Sequence, residues 1–161
     1  METSNISLGS LVIRHAIMHD APEICAIVNY HAERGRMLHR SLEIVYEKLR
    51  TFLVAELDGR VVGCTAVEIA WADLAEVKSL AVCPEMKGRG LGRKLVEAAI
   101  ADARAIGIRR LFALTYEQAF FERMGFHVID RFSLPSKVWS DCAACPKHNA
   151  CDEIAVMLEL Q

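Results

Sequence analysis

The chain has 161 residues, of which 53% are hydrophobic and 25% charged, and a net charge of −2 at neutral pH; that length holds one core and one domain. No apolar run approaches the ~20 residues that span a bilayer, and "METSNISLGS" carries no signal segment, which argues against membrane insertion and secretion and for a cytoplasmic location. The near-neutral balance also argues against nucleic-acid binding through bulk electrostatics.

Residues 1–10 read as a polar tail and 11–161 as one domain. "LVIRHAI" (11–17) is rich in β-formers. "HDAPEICAIVNYHAERG" then offers Asp20 as a cap, Pro22 in the first turn and Gly35 as a stop, which predicts a helix. His31 falls on its apolar spacing and reads as a buried-edge residue. Ser41 opens a second short helix in "SLEIVYEKLR". "TFLVAEL" and "RVVGCTAVEIA", joined by Asp58-Gly59, predict a hairpin. "LAEVKSLAVCP" is a further strand stopped by Pro84. From Leu91 apolar residues recur at spacings of three and four, an amphipathic helix ending near Gly107. "RRLFALTY" is a strand, "EQAFFERMG" a short helix, "FHVIDRFSL" another strand, and "DEIAVMLEL" the last. An antiparallel first half followed by a βαβα second half gives an α+β class with a mixed, mostly antiparallel sheet flanked by helices.

"CPEMKGRGLGRKLV" concentrates Gly88, Gly90 and Gly92 among Lys87, Arg89, Arg93 and Lys94. The spacing fits neither a Walker loop nor a dinucleotide fingerprint. What remains is a turn rich in unhindered backbone N–H groups at a helix N-terminus, suited to an anion, or a solvent-exposed turn with glycines for steric reasons.

Together with the preceding strand, "SLAVCPEMKGRGLGRKLVEAAIADARAIG" resembles the acetyl-CoA motif of the GNAT N-acetyltransferase superfamily, and "AFFERMGF" resembles that superfamily's helix ending in Gly-Phe. The resemblance implies that Lys87, Gly88, Arg89, Gly90, Leu91, Gly92 and Arg93 cradle the pyrophosphate of coenzyme A. It also implies that the backbone of Leu80, Ala81 and Val82 pairs with the pantetheine arm. Further pieces, "GRMLHRSLEIVYEKLRTFLVAELDG", "WADLAEVKSLAV" and "LPSKVWSDCAACPKHNACDE", resemble the short bacterial amino-acid N-acetyltransferases of the N-acetylglutamate synthase type. That group catalyses the first step of arginine biosynthesis, so acetyl-CoA and L-glutamate are the implied substrates, and family habit implies a homodimer.

An α-amine must lose a proton before it attacks a thioester, so the site needs a base. Glu76 precedes the segment where the thioester is expected, and the resemblance places a base there too; the alternative is a surface Glu76–Lys78 ion pair. Strict alternation would put Glu76, Lys78, Leu80 and Val82 on one face, mixing charge with apolar residues, which suggests a bulge between Lys78 and Leu80. A backbone N–H freed near Leu80 is the candidate oxyanion donor. Many superfamily members carry a tyrosine where this chain has Phe121, leaving Tyr116 and Ser79 as candidate acids. Two carboxylates on glutamate call for cations. Arg40, in "MLHRS", matches the family's substrate loop, with Lys78, Lys137 and Lys147 as further candidates and Thr115 as a hydrogen-bond donor; Lys137 and Lys147 read equally as solvated.

Six cysteines in a reducing compartment read as core thiols, metal ligands or reactive groups. Cys25 and Cys64 lie among apolar neighbours. Cys142, Cys145, His148 and Cys151 recur every third residue, either a Cys3His metal set or a loop of thiols, and no metal is expected because structural zinc sites usually combine separated pairs. Two rivals stand beside the glutamate reading: a GNAT acting on another amine such as glutamine, a polyamine or a protein N-terminus, and a non-catalytic module that binds coenzyme A.

Overall fold

The structure, a computed structural model, describes residues 10–135 and 153–160. Seven strands form one sheet in the order β1-β2-β3-β4-β5-β7-β6, with β1 Leu11–His15, β2 Phe52–Leu57, β3 Arg60–Trp71, β4 Leu74–Val82, β5 Arg110–Thr115, β6 His127–Val128 and β7 Ile154–Glu159. The β4–β5 pair is parallel and the other described neighbours are antiparallel. The helices are α1 Ala21–Ala32, α2 Leu42–Glu47, α3 Leu91–Ala105 and α4 Gln118–Arg123. This is the expected α+β class.

Successive residues of a strand point to opposite faces, and β2 shows that both faces are covered. Phe52 and Val54 pack with Ile24 and Val28 of α1 and Val45 of α2. Leu53, between them, packs with Val96, Ala99 and Ala103 of α3. A strand buried on both sides reads as the continuous apolar run "FLVA", because neither face needs polar residues.

Ser41 caps α2 as expected, its hydroxyl accepting from Ile44 N at 3.2 Å. Asp58 and Gly59 both have positive φ in the β2–β3 turn, as a primed hairpin requires. Two expectations are corrected. Asp20 precedes α1 but does not cap it: its backbone is already helical in a 3-10 turn, Met18–Asp20. Its carboxylate instead accepts from both Nη atoms of Arg14, at 2.7 and 3.0 Å, and from Ile17 N at 2.8 Å. The Arg14 hydrogen bonds hold that carboxyl below the usual carboxylate range despite its burial. The strand expected over 126–134 is also cut short to His127–Val128 and followed by a 3-10 turn, Arg131–Ser133. There the Asp130 carboxylate accepts from Phe132 N at 3.0 Å, a side chain offering the backbone an alternative to the ladder.

Candidate active site

β4 and β5 pair from Leu74↔Arg110 to Glu76↔Phe112. Beyond that point β4 continues to Val82 against β3, while β5 continues to Thr115 against β7. The two strands therefore part into a fork with Glu76 at its apex. The expected bulge lies inside the fork: Cys64 faces Ala81 and Ala66 faces Lys78, so Ser79 and Leu80 both oppose Thr65. Ser79 takes φ +54°, a left-handed conformation that costs a non-glycine residue about 1–3 kcal/mol. Bulges bend and twist the strand that carries them, which turns β4 away from β5.

Cys83 N donates to Val62 O at 2.8 Å, so by antiparallel alternation Ala81 turns its backbone groups toward β3. Leu80 and Val82 then turn theirs into the fork. That narrows the expected set: Ala81 does not offer its backbone there. Val82 O is already bonded to His31 Nε2 at 2.8 Å, so α1 closes one end of the fork.

The glycine loop follows a 3-10 turn, Pro84–Met86. Gly88 and Gly90 have φ of +79° and +76°, and nothing lies within 4 Å of a Cβ built on either. These glycines thus answer to backbone conformation and not to crowding. Lys94 N donates to Gly90 O at 3.2 Å, the first bond of α3, so the N–H groups of Leu91, Gly92 and Arg93 have no helical acceptor. A helix of 15 residues adds a dipole that favours an anion at this end. Lys87 is exposed and Arg89 half-buried. The Arg93 side chain turns away to Glu97, Nε to Oε1 at 3.0 Å. Gly90→Ala is expected to lower stability by about 1–2 kcal/mol through its left-handed φ alone, measured by urea unfolding.

Next to the fork lies a group of charges. Arg40 is buried, and its loop is pinned to α1: Arg40 N donates to Asn29 Oδ1 at 2.9 Å and Asn29 Nδ2 donates to Arg40 O at 2.7 Å. Arg40 Nη2 meets Glu68 Oε2 at 3.1 Å. Lys48 and Lys78 reach the same carboxylate at 3.4 and 3.5 Å, and Lys78 Nζ lies 3.8 Å from Glu76 Oε1. Burial works to raise the Glu68 carboxyl, but Lys78, Arg40 and Lys48 together outweigh it and hold it below its usual value. The Glu76–Lys78 pair is thus present but mostly buried, with side-chain exposures of 11% and 18%, unlike the surface pair weighed from sequence. Arg40 Nε is buried without a hydrogen-bond partner, a deficit worth ~1–3 kcal/mol.

Glu68 and Lys48 escaped the sequence reading. Glu68 is the direct cross-strand partner of Glu76, and like charges directly opposite destabilise a sheet. That juxtaposition becomes readable only once the β3–β4 register is known.

At the end of β5, Thr115 is buried and its Oγ1 accepts from Glu117 N at 2.8 Å, so it shapes the turn into α4. Tyr116 beside it is 37% exposed. Phe121 is core, edge-on to Phe120 and Phe126 with centroids 5.1 Å away in each case. Cys64 is fully buried, which pushes its thiol up to about 12, and Cys25 is half-buried. Lys137, Lys147, Cys142, Cys145, His148 and Cys151 lie outside the described residues. Among the described residues no group of three or more His, Cys, Asp or Glu is placed to hold a metal, and no helix is long and apolar enough to cross a membrane.

A forked mixed sheet with a carboxylate at its apex has beside it a left-handed glycine loop opening a helix, an arrangement suited to an extended ligand with an anionic end. The sequence matches the acetyltransferase (GNAT) family over residues 13–126, and the chain belongs to that family and is an acetyltransferase. It is 43% identical to an uncharacterized N-acetyltransferase of Chlorobaculum tepidum over 92% of this chain and 96% of that one. It is 37% identical to an amino-acid acetyltransferase of Mycobacterium tuberculosis over 81% of this chain and 76% of the relative. The structure superimposes with a TM-score of 0.85 and 33% identity on N-acetylglutamate synthase of Neisseria gonorrhoeae, solved with coenzyme A and N-acetyl-glutamate. That match covers 94% of this chain and 35% of the Neisseria chain, so this chain spans about a third of that protein.

Proposed function

We propose that this acetyltransferase moves the acetyl group of acetyl-CoA to the α-amino group of L-glutamate, the first step of arginine biosynthesis. The observation that carries the reading is the buried Glu76 at the apex of the fork with the cations Lys78 and Arg40 beside it. Its likeness to a synthase solved with coenzyme A and N-acetyl-glutamate supports the choice of substrates.

The N–H groups of residues 91 to 93, with Lys87 and Arg89, take the pyrophosphate of coenzyme A, and the backbone of Leu80 and Val82 takes the pantetheine arm. Since Val82 O is held by His31, its N–H is the group available for that pairing. Arg40 and Lys78 receive the carboxylates of glutamate, and a substrate oxygen beside Arg40 relieves the unpartnered Nε. Glu76 takes a proton from the ammonium, directly or through water, and the free amine attacks the thioester carbonyl. The C–N bond forms, and negative charge gathers on the carbonyl oxygen, facing the N–H of Leu80. The nitrogen gives up its second proton to water as the C–S bond breaks, and the thiolate leaves with a reference pKa near ~8.5, to be protonated by solvent, Tyr116 or Ser79.

A second reading keeps the chemistry and changes the acceptor. The three cations Arg40, Lys48 and Lys78 face two carboxylates, Glu68 and Glu76. Those two carboxylates offset part of the positive charge, which favours an amino acid with one carboxylate, such as glutamine. A thiol-release assay with acetyl-CoA and each of the twenty amino acids, with products identified by mass, decides between them. Glutamate is expected to give the highest kcat/KM. Turnover with glutamine alone selects the second reading, and no turnover with any amino acid overturns both.

A further inference from the structure

Glu68 belongs to no part of the mechanism above, yet it binds the cations that the mechanism uses. A single carboxylate, 17% exposed, meets Arg40, Lys48 and Lys78 within 3.5 Å. It sits on β3 opposite Glu76 on β4, so two negative groups are held side by side where sheet pairing disfavours them. Such a local conflict is what a functional site tolerates and a purely structural one avoids. Lys78 lies between the two carboxylates, 3.5 Å from one and 3.8 Å from the other.

The geometry has a consequence for an incoming carboxylate. Arginine and lysine side chains lose a substantial amount of rotamer entropy when they are ordered. An acceptor that had to order Arg40 and Lys78 would bind more weakly by that amount. Glu68 orders both before the acceptor arrives, since preorganisation removes that cost from binding. It comes from β3, a strand paired on both sides, so the anchor itself is rigid. Lys48 joins from the end of α2 and ties the substrate loop that carries Arg40 to the same carboxylate.

We propose that Glu68 is a positioning residue for the acceptor: it holds Arg40 and Lys78 in place for the carboxylates of the amino acid and takes no part in proton transfer. The proposal rests on the reading that these two cations bind the acceptor. It assigns Glu68 to acceptor affinity and not to acetyl-CoA affinity, because none of its partners lies in the glycine loop.

The test compares Glu68→Gln, Glu68→Asp, Lys48→Met and Arg40→Ala in the full chain, with KM measured for each substrate. Glu68→Gln, isosteric but uncharged, is expected to raise the acceptor KM about 10-fold and to leave the acetyl-CoA KM within about twofold. Glu68→Asp keeps the charge and is expected to recover most of the loss. If Arg40→Ala raises the acceptor KM while Glu68→Gln leaves it unchanged or lowers it, the proposal is wrong and the amino-acid reading stands. An unchanged acceptor KM in Arg40→Ala overturns both together. Equal rises in both KM values for Glu68→Gln mean a structural role and also overturn it. Should Glu68→Gln fail to fold, Lys48→Met at its 47% exposed site carries the test. A roughly threefold rise confined to the acceptor KM is expected, and no change overturns the proposal.

Discussion

Glu76→Gln is expected to lower turnover by roughly 10²-fold or more, the range a positioned general base supplies. The loss should shrink as pH rises. The α-amine of an amino acid loses its proton to solvent at alkaline pH, so the variant regains an attacking amine without the carboxylate. At lower pH the acceptor arrives protonated and a glutamine side chain accepts no proton from it. Because Gln keeps the shape of Glu, the apex of the fork between Glu68 and Phe112 retains its packing, and both KM values should move little. A pH profile of kcat/KM for wild type and variant measures this. A variant with wild-type turnover across the range would remove Glu76 from the role of base.

Arg40→Ala is expected to act on a different constant. Truncating one member of a buried, hydrogen-bonded charge pair costs about 2–5 kcal/mol, and the lower end alone corresponds to about 30-fold in affinity. The rise should fall on the acceptor KM, with the acetyl-CoA KM nearly unchanged, because Arg40 contacts Glu68 and the end of α1. The fold should survive: Lys48 and Lys78 still face Glu68, and the loop remains tied through the Arg40 backbone to Asn29. Steady-state kinetics with each substrate varied in turn checks the split. Equal effects on both constants would place Arg40 outside the acceptor site.

Much of this molecule is readable one neighbour at a time. The period of two in "AVMLE" and the spacings of three and four after Leu91 predict β7 and α3, because each depends on residues close in the chain. The hairpin at Asp58-Gly59 and the cap at Ser41 are local for the same reason. Even the bulge at Ser79 left a trace, as charged and apolar residues forced onto one face of "EVKSLAV". The tight turns of the glycine loop were legible through residue type, and Gly88 and Gly90 are left-handed in fact.

The candidate site was legible only in part. Glu76 and Lys78 share a strand and could be paired from sequence, whereas Arg40 and Glu68 are 28 residues apart and no local pattern links them. Asp20 looked like a cap and found Arg14 across the β1 turn instead. His31 looked like part of an apolar face and its ring reached Val82, 51 residues away. The meeting of Glu68 with Glu76 and Lys78 depends on cross-strand register, which shifts between Ile69 and Trp71 and again at the bulge. By itself the sequence determined most of the elements, the glycine loop and the kind of chemistry. The tertiary structure decided where β4 leaves β5 and which charges meet there, because register is set by the turns and bulges of the whole sheet and a slip of one residue in β4 would send Glu76 and Lys78 to the other face.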